Sequence, residues 1–311
     1  MTTTKDKALR TTTKAVLIDI SGTLHIGQDA IPGAIDACRK LFQQQQEQKQ
    51  RNNLQVLFLT NTSKVSSVTL LRQLRGMGFD KSAIPHDGDD DYDTIIMTSV
   101  GATRRYLLQH NLRPLCLVED ELLDTDFEGV DTTESDPNCV LVGLAPSKFN
   151  YDKLNEAFRL LSRLKEESST RHDKDSDDGK PPLLVAIHRA TYYRDADHLL
   201  SLGPGGFVSL LEQTCGVTAH VVGKPSRNFY YAALSSLGAD AVDPSQAVMV
   251  GDDVVGDIKG ALDAGLGGAI LVKTGKYVCG DELGRKTGGV VPTLTVDSIV
   301  EAVEYICTSF E

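Results

Sequence analysis

The sequence predicts an α/β protein: a Rossmann-like parallel-sheet core carrying a large inserted α/β unit. Three observations lead there. Short apolar runs at residues 15–18 (AVLI), 56–59 (VLFL) and 247–250 (AVMV) alternate with stretches at helical spacing; buried runs separated by helices belong to a parallel sheet covered on both faces. Each run hands over to polar residues: Asp19 after the first, Thr60 and Asn61 after the second, Asp252 and Asp253 after the third. The carboxyl ends of the strands are where an open α/β sheet binds its ligands. Third, the pattern restarts between Thr94 and about Leu202 with strands and helices of its own, as an insertion would. The expected organisation is a tail at 1–13, a core at 14–97 and 204–311, and an inserted unit at 98–203.

After the first run, Asp19, Ile20, Ser21, Gly22 and Thr23 turn the chain; taken alone, this segment reads equally as a strand closed by an Asx-type turn. Ile31, Ala34, Ile35, Cys38, Leu41 and Phe42 then fall at helical spacing. That helix runs into QQQQEQKQRNN, too polar to pack, so a solvated helix end or loop is expected. The segment SSVTLLRQLRGMGF reads as a helix closed by Gly76 or Gly78. Thr60, Asn61, Thr62, Ser63 and Lys64 stand ahead of it. Hydroxyl and amide groups entering a helix N-terminus can seat a phosphate or serve as an ordinary cap cluster.

Residues 87–93 (DGDDDYD) are acidic but lack the ligand order of a calcium loop, so a solvated turn is expected. Residues 166–182, charged and poor in apolar side chains, are expected to form a mobile loop. A strand at residues 219–222 (AHVV) leads to Gly223, Lys224 and Pro225, with Pro225 in the first turn of the next helix. Beyond the run at 247–250, Asp252, Asp253 and Asp257 open another helix. GGAILVKTGKY supplies a further strand and VDSIVEAVEYICTSF a closing helix.

Composition narrows the function. A formal net charge of −11 on 311 residues repels a nucleic-acid backbone or an anionic membrane surface. With no basic patch to offset it, both are excluded as partners, whereas a divalent cation suits the carboxylates. The apolar share of 41% is enough to bury a core. Six cysteines stand without C-x-x-C spacing, which argues against zinc and against a disulfide framework, and for reduced thiols in the cytoplasm. No run reaches the length of a membrane span, and the N-terminal residues lack the apolar stretch of a secretory signal.

In a parallel sheet the strand ends share one edge, so Asp19, Thr60, Asn61, Lys224, Asp252 and Asp257 can converge although distant in sequence. Their chemistry is complementary. Carboxylates hold a hard Mg²⁺ ion and one of them can attack phosphorus, while a lysine and a hydroxyl neutralise phosphoryl oxygens. Four segments, DISGT at 19–23, TNTS at 60–63, GKP around Lys224 and GDDVVGD at 251–257, together resemble the four motifs of the haloacid dehalogenase (HAD) superfamily of phosphotransferases. The long interval between Lys64 and Lys224 resembles the large C2-type cap of its NagD-like branch.

That resemblance implies Asp19 as nucleophile and Mg²⁺ ligand, with the Ser21 carbonyl and Asp252 as further ligands. Asp257 would hold metal-bound water and hydrogen-bond Lys224. Thr60 and Asn61 would grip the phosphoryl group, with Ser21 beside them, and Lys224 would tie Asp19 to it. In the cap, His188, Arg189, Tyr192 and Tyr193 are candidates for contacts to a phosphorylated small molecule or phosphoprotein side chain, or for packing at the domain interface. A homodimer through the cap is implied by the same analogy.

One position departs from the pattern. Active members usually carry a second aspartate two residues after the nucleophile, where it protonates the leaving group; here Ser21 stands there. A hydroxyl cannot exchange protons near neutrality, and loss of such a group costs about 10²–10⁴ in rate. The expected function is a Mg²⁺-dependent phosphatase acting slowly through an aspartyl-phosphate. The alternative is a weak or inactive protein that binds phosphorylated ligands.

Overall fold

The computed structural model describes residues 13–48, 54–86, 95–170, 181–195, 197, 199–237 and 242–308. Most of the expected tail, the acidic turn at 87–93, the end of the glutamine tract and residues 171–180 of the expected loop lie outside them.

Strand β1 (Ala15–Asp19) is the centre of a six-stranded parallel sheet. Beside it lie β4 (Gln55–Thr60) and then β5 (Ile96–Thr98) on one side, and β12 (Ala247–Gly251), β13 (Gly268–Val272) and β14 (Leu294–Val296) on the other. The chain leaves β1 in one direction and returns to its opposite flank, which makes β1 the switch point of the sheet. Because side chains alternate, β1 feeds two cores. Val16 and Ile18 pack under α1 (Ala34–Gln48), α2 (Ser67–Gly76) and α9 (Ile299–Cys307). Ala15 and Leu17 face the opposite cluster. Burial on both faces explains why the run is continuously apolar instead of alternating.

A second, four-stranded parallel sheet is built from β6 (Pro114–Leu117), β7 (Cys139–Val142), β8 (Leu184–Ala186) and β11 (His220–Val221). Helices α5 (Tyr151–Thr170) and α6 (Gly205–Cys215) cover one face. The other face, through Leu141, Val185 and Ile187, joins the same apolar cluster as Leu17, Leu57 and Leu59 of the core. Between the two sheets stand α3 (Ser99–Gln109) and α7 (Arg227–Ser236), packed on each other. Cap and core therefore share one hydrophobic body.

Several expectations shift. The return to the core follows Val221 rather than residue 203: α6 packs on α5, and β11 pairs with β8 in register His220↔Val185. The AHVV segment is thus a cap strand, which apolar pattern alone cannot tell from a core strand. Pro225 precedes the Ser226 cap of α7 instead of entering its first turn. Two antiparallel hairpins escape the sequence reading: β2 (His25–Ile26) with β3 (Asp29–Ala30), and β9 (Tyr192–Arg194) with β10 (Leu200–Leu202). Helix α1 runs on into the glutamine tract as far as Gln48, with Gln43, Gln46 and Glu47 exposed, as a solvated helix end requires. Among the described residues no helix is long and apolar enough to cross a membrane.

Leu141 tests the shared core. It is fully buried on the cap face that meets the core cluster, so Leu141→Ala should cost about 2–5 kcal/mol of stability. A midpoint shift in urea unfolding at constant m-value measures this, and an unshifted midpoint would mean that the interface is not packed as described.

Candidate active site

Strand register brings the acids together. Ile18 of β1 pairs with Val250 of β12 and Phe58 of β4, so Asp19 ends its strand level with Leu59, and Thr60 and Asp252 follow directly on either side. Lys224 arrives differently. It comes on the segment that returns from the cap strand β11, not at the end of a core strand as expected. Asn61 fixes it there: its Oδ1 accepts from the Lys224 N–H at 3.0 Å and its Nδ2 donates to the Lys224 carbonyl at 2.9 Å. Both ends of the Asn61 amide are thus engaged by the lysine backbone.

The Lys224 ammonium donates to Asp19 Oδ1 at 2.5 Å and to Asp257 Oδ1 at 2.7 Å. Thr23 donates to the other Asp19 oxygen, Oδ2, at 3.1 Å. Carboxylate oxygens of Asp19, Asp252 and Asp257, all buried, lie within 4.8 Å of one another. At an effective dielectric of about 20, each like-charged pair at such a distance repels by roughly 3 kcal/mol. Burial, and then the charge of Asp19, push the Asp252 carboxyl well above the usual range. Asp257 is also pushed up by burial, against the pull of Lys224. Lys224 itself loses from burial, but Asp19 and Asp257 outweigh that and hold it charged. Three carboxyl groups around one ammonium in a buried pocket are a donor set that fits a hard divalent cation with oxygen ligands, whose charge would favour the ionised forms that burial resists.

Two glycines make room for Asp252. A Cβ on Gly22 or on Gly275 would fall 2.0 Å from Asp252 Oδ2, and both residues have positive φ, at 96° and 50°. Lys276, which the sequence reading passed over, completes this wall. Its backbone N–H donates to Asp252 Oδ2 at 2.6 Å and its ammonium lies 3.0 Å from Asp253 Oδ2. Burial opposes its charge, but Asp253 and Asp252 more than restore it. Asp253, left without a role from sequence, caps the turn at Val254–Lys259 by accepting from the N–H groups of Val255 and Gly256. The signal for Lys276 was its place just past the end of β13, on the edge that carries Asp19.

Ser21 lines the same cavity as Asp19, and its hydroxyl is engaged by the loop after β4. Its hydroxyl joins a chain in which Ser21 Oγ lies 3.0 Å from Thr62 Oγ1, and Thr60 donates to that same Thr62 oxygen at 2.9 Å. Thr60 thus shapes the loop through Thr62 while lining the cavity beside Asp19.

The cap closes the site through the same loop. Ser63 Oγ lies 3.0 Å from His188 Nε2 and accepts from the Leu144 N–H at 3.0 Å. Next to it, Lys64 reaches Asp195 at 3.3 Å, with Tyr193 donating to Asp195 at 2.8 Å. These contacts bound a cavity of about 300 Å³ that holds Asp19, Lys224, Asp252 and Asp257. His188 lines it, engaged by Ser63. Of the two tyrosines expected as substrate contacts, Tyr193 lines it as well, and Tyr192 borders an adjoining cavity of about 740 Å³ that shares Lys224 and Asp252 with it. Successive strand residues point to opposite faces, and the hairpin at β9 was not foreseen. Arg189 turns to Glu212 on α6, at 2.7 Å.

Fold and site together define a hydrolase that works with acids at the edge of a parallel sheet under a cap. A family model for haloacid dehalogenase-like hydrolases matches residues 16–131, and a HAD-hydrolase-like model matches residues 221–302. The chain is 42% identical over 299 residues to haloacid dehalogenase-like hydrolase domain-containing protein 2 of Bos taurus, covering 96% of this chain and 98% of that one. It is 34% identical to the human phospholysine phosphohistidine inorganic pyrophosphate phosphatase over 297 residues, 94% of each chain. It belongs to the haloacid dehalogenase-like hydrolases. Its fold matches the 4-nitrophenylphosphatase of Thermotoga maritima with a TM-score of 0.74 at 22% identity, over 96% and 99% of the two chains. NagD of E. coli K-12 matches with 0.70 at 23%, over 93% and 98%.

His188 gives this arrangement a pH signature. Burial, then the charges of Lys276 and Lys224, push its imidazole down from 6.5 to about 3. The folded protein refuses a proton that the unfolded chain accepts below pH 6.5, so stability is full above that pH and falls as the solution is acidified. The expected loss approaches about 1.4 kcal/mol per pH unit below 6.5. Urea midpoints at pH 7 and pH 5 should differ by more in the unsubstituted protein than in His188→Gln. Equal differences would place the titration elsewhere.

Proposed function

We propose that this chain is a Mg²⁺-dependent phosphatase that works through an aspartyl-phosphate on Asp19 and is slow toward ordinary alkyl esters. The carrying observation is the Lys224 ammonium set between Asp19 and Asp257 within a cluster of three buried carboxylates. Asp19, Asp252, Asp257 and the Ser21 carbonyl would hold the ion, which when bound supplies the positive charge that draws phosphoryl oxygens toward Asp19. The residues do the rest. One Asp19 oxygen forms the bond to phosphorus as the bond to the leaving oxygen breaks. Lys224 and Thr23 restrain the carboxylate, and the clamp of Asn61 on the Lys224 backbone keeps that lysine aimed. Water then attacks phosphorus, the Asp19 oxygen leaves with its electron pair, and phosphate departs.

Phosphatase activity also accords with the names of the relatives, one acting on phospholysine, phosphohistidine and pyrophosphate. The substrate proposed is a phosphorylated small molecule or phosphoprotein side chain, handled in the cytoplasm, where six free cysteines stay reduced. Exposed Leu199, Leu200 and Leu202 on the cap hairpin support a homodimer through the cap. A second reading, a phospho-ligand-binding protein that no longer turns over, is favoured by Ser21 alone.

Asp19→Asn should abolish turnover and phosphate labelling of the protein while leaving the melting temperature nearly unchanged, because an amide cannot attack phosphorus. Labelling that survives the substitution would sink the covalent mechanism. An unsubstituted protein that binds beryllium fluoride with Mg²⁺ yet is never labelled is the binding protein of the second reading. Asp252→Asn should chiefly raise the Mg²⁺ concentration needed for half-activity, and an unchanged titration removes Asp252 from the metal shell.

Ser21→Asp places a carboxyl within reach of the Thr62 hydroxyl and restores an acid near the leaving group. It should accelerate alkyl phosphates more than aryl phosphates, which need less protonation. Rates on both substrates for both proteins decide this; equal acceleration would assign the added group to the water-attack step.

A further inference from the structure

Lys276 has more hydrogen-bonding capacity than its structural contacts use. Its ammonium carries three donors, and among the described residues the one acceptor it engages is Asp253 Oδ2 at 3.0 Å. Asp253 is itself fixed by the N–H groups of Val255 and Gly256, at 3.0 and 2.9 Å. It tethers Lys276 without enclosing it: the side chain keeps 23% of its surface exposed.

The place of that ammonium matters. The cavity of about 300 Å³ that holds Asp19 and the cavity of about 740 Å³ beside it have Asn61, Ala190, Lys224, Asp252, Asp253, Gly256 and Lys276 in common. Ala190 belongs to the cap, so Lys276 stands where the phosphoryl seat opens into the crevice between core and cap. After burial itself, the field of Lys276 does most to keep the cap residue His188 uncharged, ahead of Lys224. Lys276 lines both the cavity of Asp19 and its neighbour, so a leaving group that extends from the phosphoryl seat into the crevice would meet this lysine. Lys224, by contrast, is consumed by Asp19 and Asp257.

We propose that Lys276 is a catalytic residue for the leaving group: its ammonium donates a hydrogen bond to the departing oxygen of the substrate, stabilising the charge that Ser21 cannot protonate. The inference rests on the phosphatase reading above. As the Asp19 oxygen bonds to phosphorus, the bond from phosphorus to the leaving oxygen breaks and the electron pair stays on that oxygen. Lys276 keeps its proton, and the oxygen, if basic enough, takes one from water after release. A fixed donor aimed at developing charge gains strength in a site that excludes water.

The test compares kcat/KM for phenyl phosphate and 4-nitrophenyl phosphate in the unsubstituted protein, Lys276→Met and Lys276→Arg, with a Mg²⁺ titration of each. Lys276→Met should lose about tenfold more on phenyl phosphate than on 4-nitrophenyl phosphate, since the poorer leaving group carries more charge. Lys276→Arg should keep the original ratio, and the Mg²⁺ requirement should stay within about twofold if Asp252 is undisturbed. Should methionine unfold the protein, Lys276→Gln, with a neutral donor toward Asp253, is read by the same ratio. Equal losses on both substrates, or a loss that tracks a raised Mg²⁺ requirement, overturn the proposal and leave Lys276 as a positioning residue for Asp252 and Asp253. An unsubstituted protein that neither turns over nor labels Asp19 overturns the phosphatase reading and this inference with it.

Discussion

The bond from Lys224 to Asp19 and Asp257 is the interaction on which the site depends. Three buried carboxylates in mutual reach repel strongly, and a single ammonium cannot neutralise them. The surrounding structure is arranged to hold that ammonium: Asn61 grips both the N–H and the carbonyl of Lys224, and the segment carrying it comes straight from the cap sheet. Cap and core are therefore coupled at the residue that balances the charge. The segment that leaves the cap sheet thus brings in the ammonium that the acid cluster needs.

The loop after β4 carries that coupling further. Thr60 lines the cavity of Asp19 and Asn61 clamps the Lys224 backbone, while Ser63 and Lys64 reach the cap through His188 and Asp195. Five consecutive residues thus tie the acid-lined cavity to the cap. Ser21 hydrogen-bonds into the same loop through Thr62, so its position is built into this network. On the mechanism proposed above, charge on the leaving group would be managed without a carboxylic acid at that place, and the wall formed by Asp252, Asp253 and Lys276 is where an ammonium stands.

Much of this was legible in the sequence because strand periodicity and local chemistry are local properties. The runs at 15–18, 56–59 and 247–250 each became a strand of the core sheet, and the polar residues behind them met at its edge, since parallel register leaves no other place for them. The segments around Asp19, Thr60, Lys224 and Asp252 identified the family, and the comparisons agree with that reading. Less was legible in the cap, where short hairpins give little pattern: Tyr192 and Tyr193 were both candidates, and only the hairpin decided that they border different cavities.

The sequence by itself determined the sheet, the acids and the family, because alternation of apolar runs and the residues that follow them survive without knowledge of any neighbour. Tertiary structure alone decided that the strand before Lys224 belongs to the cap, that Asn61 clamps a backbone, that His188 is bound to Ser63, and that Lys276 stands beside Asp252. Each of these depends on contacts between residues far apart in the chain, and such contacts are set by packing, which no local pattern encodes.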